Sequence, residues 1–349
     1  MDLARSTLLV SGVLLHLCLL HTPGGLILKS AFTSEIFEHI LTAIRSFRMP
    51  SLFLVSGYFS ALLIERKGLT GFLRNRMLRM GVPFLFCGLV LNSVMVAVAL
   101  TPHLELSVDH FLSGSWQFHL WNIGNLIAYE LFLFALFFVF PKLHVTIRNL
   151  PIRPWAWVAI TMASTMILIR IWRASPEIPF VQWLVHAQQL FELGGYYLAG
   201  YLLHQGRGLV EAMVRPLPAF GSLAVILATR GLMPDLDRSF LADRLSESLA
   251  ILYSVTSTLA LFALLRWIGG RWRWVRALSQ ASYSIYLLHM PLMLIAFRWT
   301  DGLGWGLGGV ILLGAISFLV PWLIHVQVVE RWRFAGLLLN GKDYRSTAP

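Results

Sequence analysis

The chain has 349 residues, 57% of them hydrophobic and only 13% charged, with a mean hydropathy of +0.70, which leaves too little polar surface for a water-soluble globule. Its net charge of +11 is scattered over short connections between apolar runs and forms no continuous basic face with interleaved aromatics, which argues against a nucleic-acid partner. Cys18 and Cys87 both fall inside apolar runs, so neither a disulfide framework nor a metal site is expected.

Taken in chain order, runs long enough to cross a bilayer core as helices occur around 3–21, 46–65, 81–100, 118–140, 154–172, 183–204, 216–230, 247–265, 277–297 and 303–325. The first carries Asp2, Arg5 and His16 and lacks a small-residue cleavage site, so it reads as a retained helix, not a removed signal. Between the first two runs, Ser34 to Phe47 is amphipathic and is expected to pack on the bundle before Pro50 redirects the chain. None of the runs alternates as barrel strands do, and hydrocarbon leaves no other way to satisfy the backbone. The expected fold is therefore all-α: a polytopic membrane bundle of about ten transmembrane helices, one domain over 1–330 followed by a short tail, 331–349.

Lys and Arg divide unevenly between alternate connections. Segments 66–80, 141–154, 205–215, 266–276 and 331–349 hold 18, and the intervening ones hold 7. Short cytoplasmic loops retain positive charge, so both termini are expected in the cytosol, which requires an even number of spans.

Ionisable groups at membrane depth are costly and mark function unless a partner explains them. Arg5 and His16 lie eleven residues apart, on one helix face and ~16 Å apart along its axis. In this topology Arg48 and His119 fall near the outer ends of the second and fourth helices. His289 lies ~18 Å from the cytosol in the ninth. Four ionisable side chains from four helices thus share an outer layer. Glu130 and Glu192 fall nearer mid-membrane, where either could orient a histidine or pair an arginine. On the inner side Arg74, Arg76 and Arg79 form a cluster suited to phosphate, although topology and anionic lipid also favour positive charge there.

Several stretches resemble the acyltransferase-3 family of integral membrane acyltransferases. They are Asp2-Leu-Ala-Arg5 running to His16, Phe47-Arg-Met-Pro-Ser-Leu-Phe-Leu-Val-Ser-Gly-Tyr-Phe59, Arg76-x-x-Arg79 with Pro83, His119-Leu-Trp121, and Ala281-Ser-Tyr-Ser-Ile-Tyr-Leu-Leu-His-Met-Pro291. The Phe-Arg-Met-Pro and His-Leu-Trp forms most resemble its glucan biosynthesis subgroup, succinyltransferases of periplasmic glucans. The resemblance implies a bacterial inner-membrane O-acyltransferase moving a succinyl or acetyl group from cytosolic acyl-CoA, a donor substrate and not a resident cofactor, to a carbohydrate acceptor on the far side. It also implies membrane partners in glucan synthesis. On this reading Arg5, Arg76 and Arg79 hold coenzyme A and His16 is the general base. Arg48, His119 or His289 stabilises the oxyanion. Arg170 and Arg48 are the cations available to a succinyl carboxylate. Ser56 and Ser282 read as small packing residues.

A secondary transporter of a small anionic or sugar substrate is the rival reading, since intramembrane charge also marks transport paths. No motif of the first half recurs in the second. A scaffolding subunit would have no use for His and Arg from several helices at one depth.

Overall fold

The computed structural model describes residues 2–342 apart from 24, 26, 27, 29, 102, 105, 176–182, 207, 232–239, 270 and 271. The described residues are helical with irregular connections and contain no strand. Helix α1 spans Asp2–Leu20 and α2 is a single 66-residue run, Glu35–Leu100. Beyond it come α3 (Trp121–Val139), α4 (Pro154–Ala174), α5 (Ala187–Gln205), α6 (Pro216–Gly231), α7 (Phe240–Ile268), α8 (Arg273–Thr300), α9 (Gly306–Ile324) and α10 (Arg333–Asn340). By length and composition seven helices among the described residues can cross a membrane. One of these is α2, which alone covers two of the expected spans. The expected spans at 183–204 and 216–230 are helical as α5 and α6, but α5 is less apolar and α6 is short.

Two features of α2 differ from the sequence reading. Ser34 caps its start, its side chain accepting from Ile36 N, and the amphipathic stretch runs straight into the apolar one. Pro50 does not redirect the chain: the helix continues through it and breaks at Gly68, whose φ of 67° is open to glycine. A proline removes one backbone hydrogen bond, which neighbouring helices in a bundle tolerate, whereas a left-handed residue turns the chain outright. After Gly68 the run contains wider turns at Met77–Gly81, Cys87–Leu91 and Val96–Leu100.

The bundle closes through small residues. Helices α2 and α5 cross so tightly that a Cβ at Gly57 would stand 2.0 Å from Tyr197 O and one at Gly200 would stand 1.8 Å from Leu54 O. Without a hydrophobic driving force between helices in lipid, such backbone approach supplies the packing. Polar bonds join further pairs: Trp157 Nε1 donates to Ala199 O at 2.8 Å between α4 and α5, and Ser51 Oγ donates to Thr258 Oγ1 at 3.3 Å between α2 and α7. One core cluster gathers residues of α2, α3, α5 and α7, and a second gathers those of α1, α8 and α9 with the start of α2. The described part of the tail contains α10, and just beyond it Gly341 sits against Leu78 and Arg79.

Candidate active site

The seam between the two clusters is where α1, α2 and α8 meet the segment Ser115–Leu120 that leads into α3. From these four pieces His16, Arg48, His289 and His119 converge. The ring of His289 lies 5.2 Å from that of His16 and 5.2 Å from that of His119, and the His16 and His119 rings are 6.2 Å apart. The four residues that sequence reasoning placed at one depth are brought together.

Each is held differently. Nδ1 of His289 donates to the carbonyls of Tyr286 at 2.6 Å and Ile285 at 3.2 Å, which fixes the proton there and leaves Nε2 a lone pair without a partner. The ring of His119 faces the backbone of Tyr286 and Leu287 without a hydrogen bond of good geometry from either nitrogen, and Nδ1 of His16 has no partner. His119 is held through its backbone: its carbonyl accepts from the Tyr286 hydroxyl, which also meets Asn122 Oδ1. The preceding Phe118 has φ 43°, the one positive φ of a non-glycine among the described residues. Such a conformation costs ~1–3 kcal/mol and persists only when its surroundings impose it. Here Asn92 Nδ2 donates to Trp116 O at 2.9 Å and Gln117 O at 3.1 Å, and Gln117 Nε2 donates to Trp183 O at 2.9 Å. Sequence reasoning put His119 near the end of a helix, and it lies in the short 3-10 segment Ser115–Leu120 that runs into α3 and contains the strained Phe118.

Arg48 is 3% exposed, yet no carboxylate lies within salt-bridge distance among the described residues. Its one hydrogen-bond contact is the Met49 thioether at 4.0 Å, and Nε has none. A buried guanidinium without an anion is expensive. Room for it comes from Gly12, one turn before His16 on α1, where a Cβ would stand 2.6 Å from Nη2.

The remaining expected residues lie elsewhere. Arg5 is exposed, its guanidinium 5.0 Å from the centre of the Phe59 ring. Arg76 reaches the neighbouring residue, donating from Nη2 to Ser60 Oγ at 3.0 Å, and pairs through Nε with Glu130 at 3.3 Å. Glu130 is fully buried and 2.8 Å from Ser60 Oγ. It pairs an arginine and not a histidine, and Arg76 is not the free cation the sequence suggested. Arg79 is exposed beside Gly341. Glu192 accepts from Gln188 at 2.8 Å. Arg170, with Arg173, is bound to Glu247 and so is not free for a substrate carboxylate. Arg5 and Arg76 thus meet the same turn of α2, about 16 Å below His16 by helix rise.

Compared with known families, the chain matches the acyltransferase-3 model, described as an acyltransferase domain, over residues 1–326. The chain belongs to the acyltransferase-3 family. No curated protein and no solved structure matches it. This acyltransferase is accordingly a membrane enzyme that transfers groups other than aminoacyl groups, and the family match contains the whole histidine and arginine cluster but not α10. Sequence reasoning missed Gly12, Phe118, Asn122 and Tyr286. Two had a signal: Gly12 shares a face with His16 at i, i+4, and Tyr286 stands at i, i−3 from His289. For Phe118 the sequence offers none.

Proposed function

We propose that the acyltransferase moves a short acyl group, succinyl or acetyl, from acyl-CoA on the cytosolic side to a hydroxyl of an extracytoplasmic carbohydrate, with both chain termini in the cytosol of a bacterial inner-membrane protein. One observation carries the reading: three histidine rings with unpartnered nitrogens stand around a buried guanidinium that has no anion. Proton acceptors and a cation at one point suit attack of a hydroxyl on a thioester.

In this mechanism His16 takes the proton of the acceptor hydroxyl as its oxygen attacks the thioester carbonyl. The tetrahedral oxyanion then collapses, breaking the carbon–sulfur bond, and the proton goes to the departing thiolate. The products are the ester and coenzyme A thiol. His289, whose proton is spent on the Tyr286 carbonyl, offers only a lone pair in its neutral form. Oxyanion stabilisation therefore falls to Arg48, with His119 beside it, and a desolvated donor of this kind is worth ~10²–10³ in rate. Arg5 and Arg79 receive the anionic end of coenzyme A, and Arg76 braces that surface through Glu130. With Arg170 bound to Glu247, Arg48 is the one of these two cations left to meet a free carboxylate on the acyl chain.

The test is transfer of labelled acyl groups from succinyl- and acetyl-CoA to the extracytoplasmic carbohydrate fraction, in membranes carrying wild type or His16→Ala at matched expression. Labelling that disappears in the variant supports His16 as the base, and the preferred donor identifies the acyl group. Persistent labelling would remove His16 from that role, and wild-type membranes that label nothing would count against acyl transfer to carbohydrate.

A further inference from the structure

At the end of α1 opposite Arg5, a cleft of about 220 Å³ opens between the start of the α1–α2 connection and the turn joining α8 to α9. Its walls include His21, Ser30, Phe32, Thr300, Asp301 and Trp305. No step above uses it.

The polar groups of these walls share one property. Ser30 Oγ donates to Asp301 Oδ1 at 2.6 Å, and Thr300 Oγ1 donates to Ala296 O at 3.0 Å. His21, 4% exposed, donates from Nδ1 to Phe32 O at 2.9 Å, and its Nε2 is left without a partner. In both hydroxyls the proton is spent inside the protein. What the side chains of the walls retain is the Asp301 carboxylate and lone pairs, with the indole N–H of Trp305 as a donor. Such a surface repels phosphates and free carboxylates, so it does not suit an acyl-CoA, and it favours a ligand rich in O–H donors. Two large aromatics, Trp305 at 53% exposure and Phe32 at 37%, offer the apolar faces against which the C–H side of a sugar ring packs.

We infer that this cleft is a subsite for a neutral carbohydrate ring, a unit of the acceptor next to the one that is acylated. Position sets this role. His21 is five residues beyond His16 on the path of α1, and Thr300 is eleven beyond His289 on α8, which by helix rise puts the cleft ~8–16 Å outward of the histidine cluster. A ring seated there cannot present its own hydroxyl to His16; a ring linked to it can. The volume suits one ring, being below the ~300–1,000 Å³ of sites that enclose drug-sized ligands. The inference rests on the acyl-transfer reading and adds to it a preference for oligosaccharides over single sugars.

The experiment is a titration of the full-length protein, in phosphatidylcholine nanodiscs and without acyl donor, with glucose and with neutral glucose oligosaccharides, read by saturation-transfer NMR. Wild type should bind the oligosaccharides more tightly than glucose. Trp305→Ala and Asp301→Asn should each weaken oligosaccharide binding by about tenfold, as loss of a stacking face or of an acceptor for hydroxyls implies. Trp305→Phe, which keeps a ring face, should restore it. Wild type that binds no oligosaccharide, or folded Trp305→Ala and Asp301→Asn proteins that bind as wild type does, would overturn the assignment. The latter result would make Trp305 a membrane-interface anchor only. Because the titration needs no donor, its outcome is separable from that of the labelling test: transfer judges the reaction, and oligosaccharide affinity judges the cleft.

Discussion

At the scale of single residues, the contact between Gly12 and Arg48 is the one most open to attack. A side chain at position 12 has to displace the guanidinium, since its Cβ would stand 2.6 Å from Nη2. Gly12→Val is expected to lower kcat/KM for acyl transfer by ~10²-fold or more, comparable to losing an oxyanion donor, with Gly12→Ala in between. A variant with unaltered turnover would show that Arg48 need not lie where it does. Glu130 makes a different prediction, about stability. Glu130→Gln leaves Arg76 partly buried beside a neutral group and should cost ~3–5 kcal/mol in unfolding measured in detergent, whereas exchanging both partners for methionine should recover much of that. Arg48, His16, His119 and His289 were legible in the sequence because charge in hydrocarbon stands out. The bond from Arg76 to Glu130 was not: the partners are 54 positions apart, and nothing local selects one carboxylate over another.

At the scale of elements, the crossing of α2 and α5 depends on glycines that no side chain can replace without parting the backbones. Gly200→Leu, whose Cβ would stand 1.8 Å from Leu54 O, should lower the unfolding temperature more than the same change at Gly221, where nothing lies within 4 Å. Equal shifts at the two sites would argue against the close crossing. Hydropathy showed where helices lie because burial in lipid sets their length. It did not show where they bend: Pro50 is the conspicuous breaker in the sequence, yet the chain turns at Gly68, since a bundle can satisfy a freed carbonyl but cannot supply a left-handed conformation to other residues. The strained turn at Phe118 was hidden for a related reason, being held from outside the segment by Asn92 and by the carbonyl of Trp183.

At the scale of the whole molecule, the proposed donor-facing and acceptor-facing surfaces fall at opposite ends of α1, with Arg5 at one and His21 at the other, and the proposed reaction centre falls between them. An enzyme that opens to both sides of a membrane risks becoming a leak. On the proposed mechanism the unpaired charge of Arg48 would answer that risk, because a fixed cation raises an electrostatic barrier to protons and metal cations, as arginines do in water-selective pores. The residue that would steady a developing anion during transfer would then also insulate the bilayer between turnovers. Arg48→Gln should therefore do more than slow the chemistry: proteoliposomes containing it should dissipate an imposed proton gradient faster than those containing wild type, and equal decay would deny Arg48 this second duty. Evolution of such a centre is then constrained by bioenergetics as well as by catalysis.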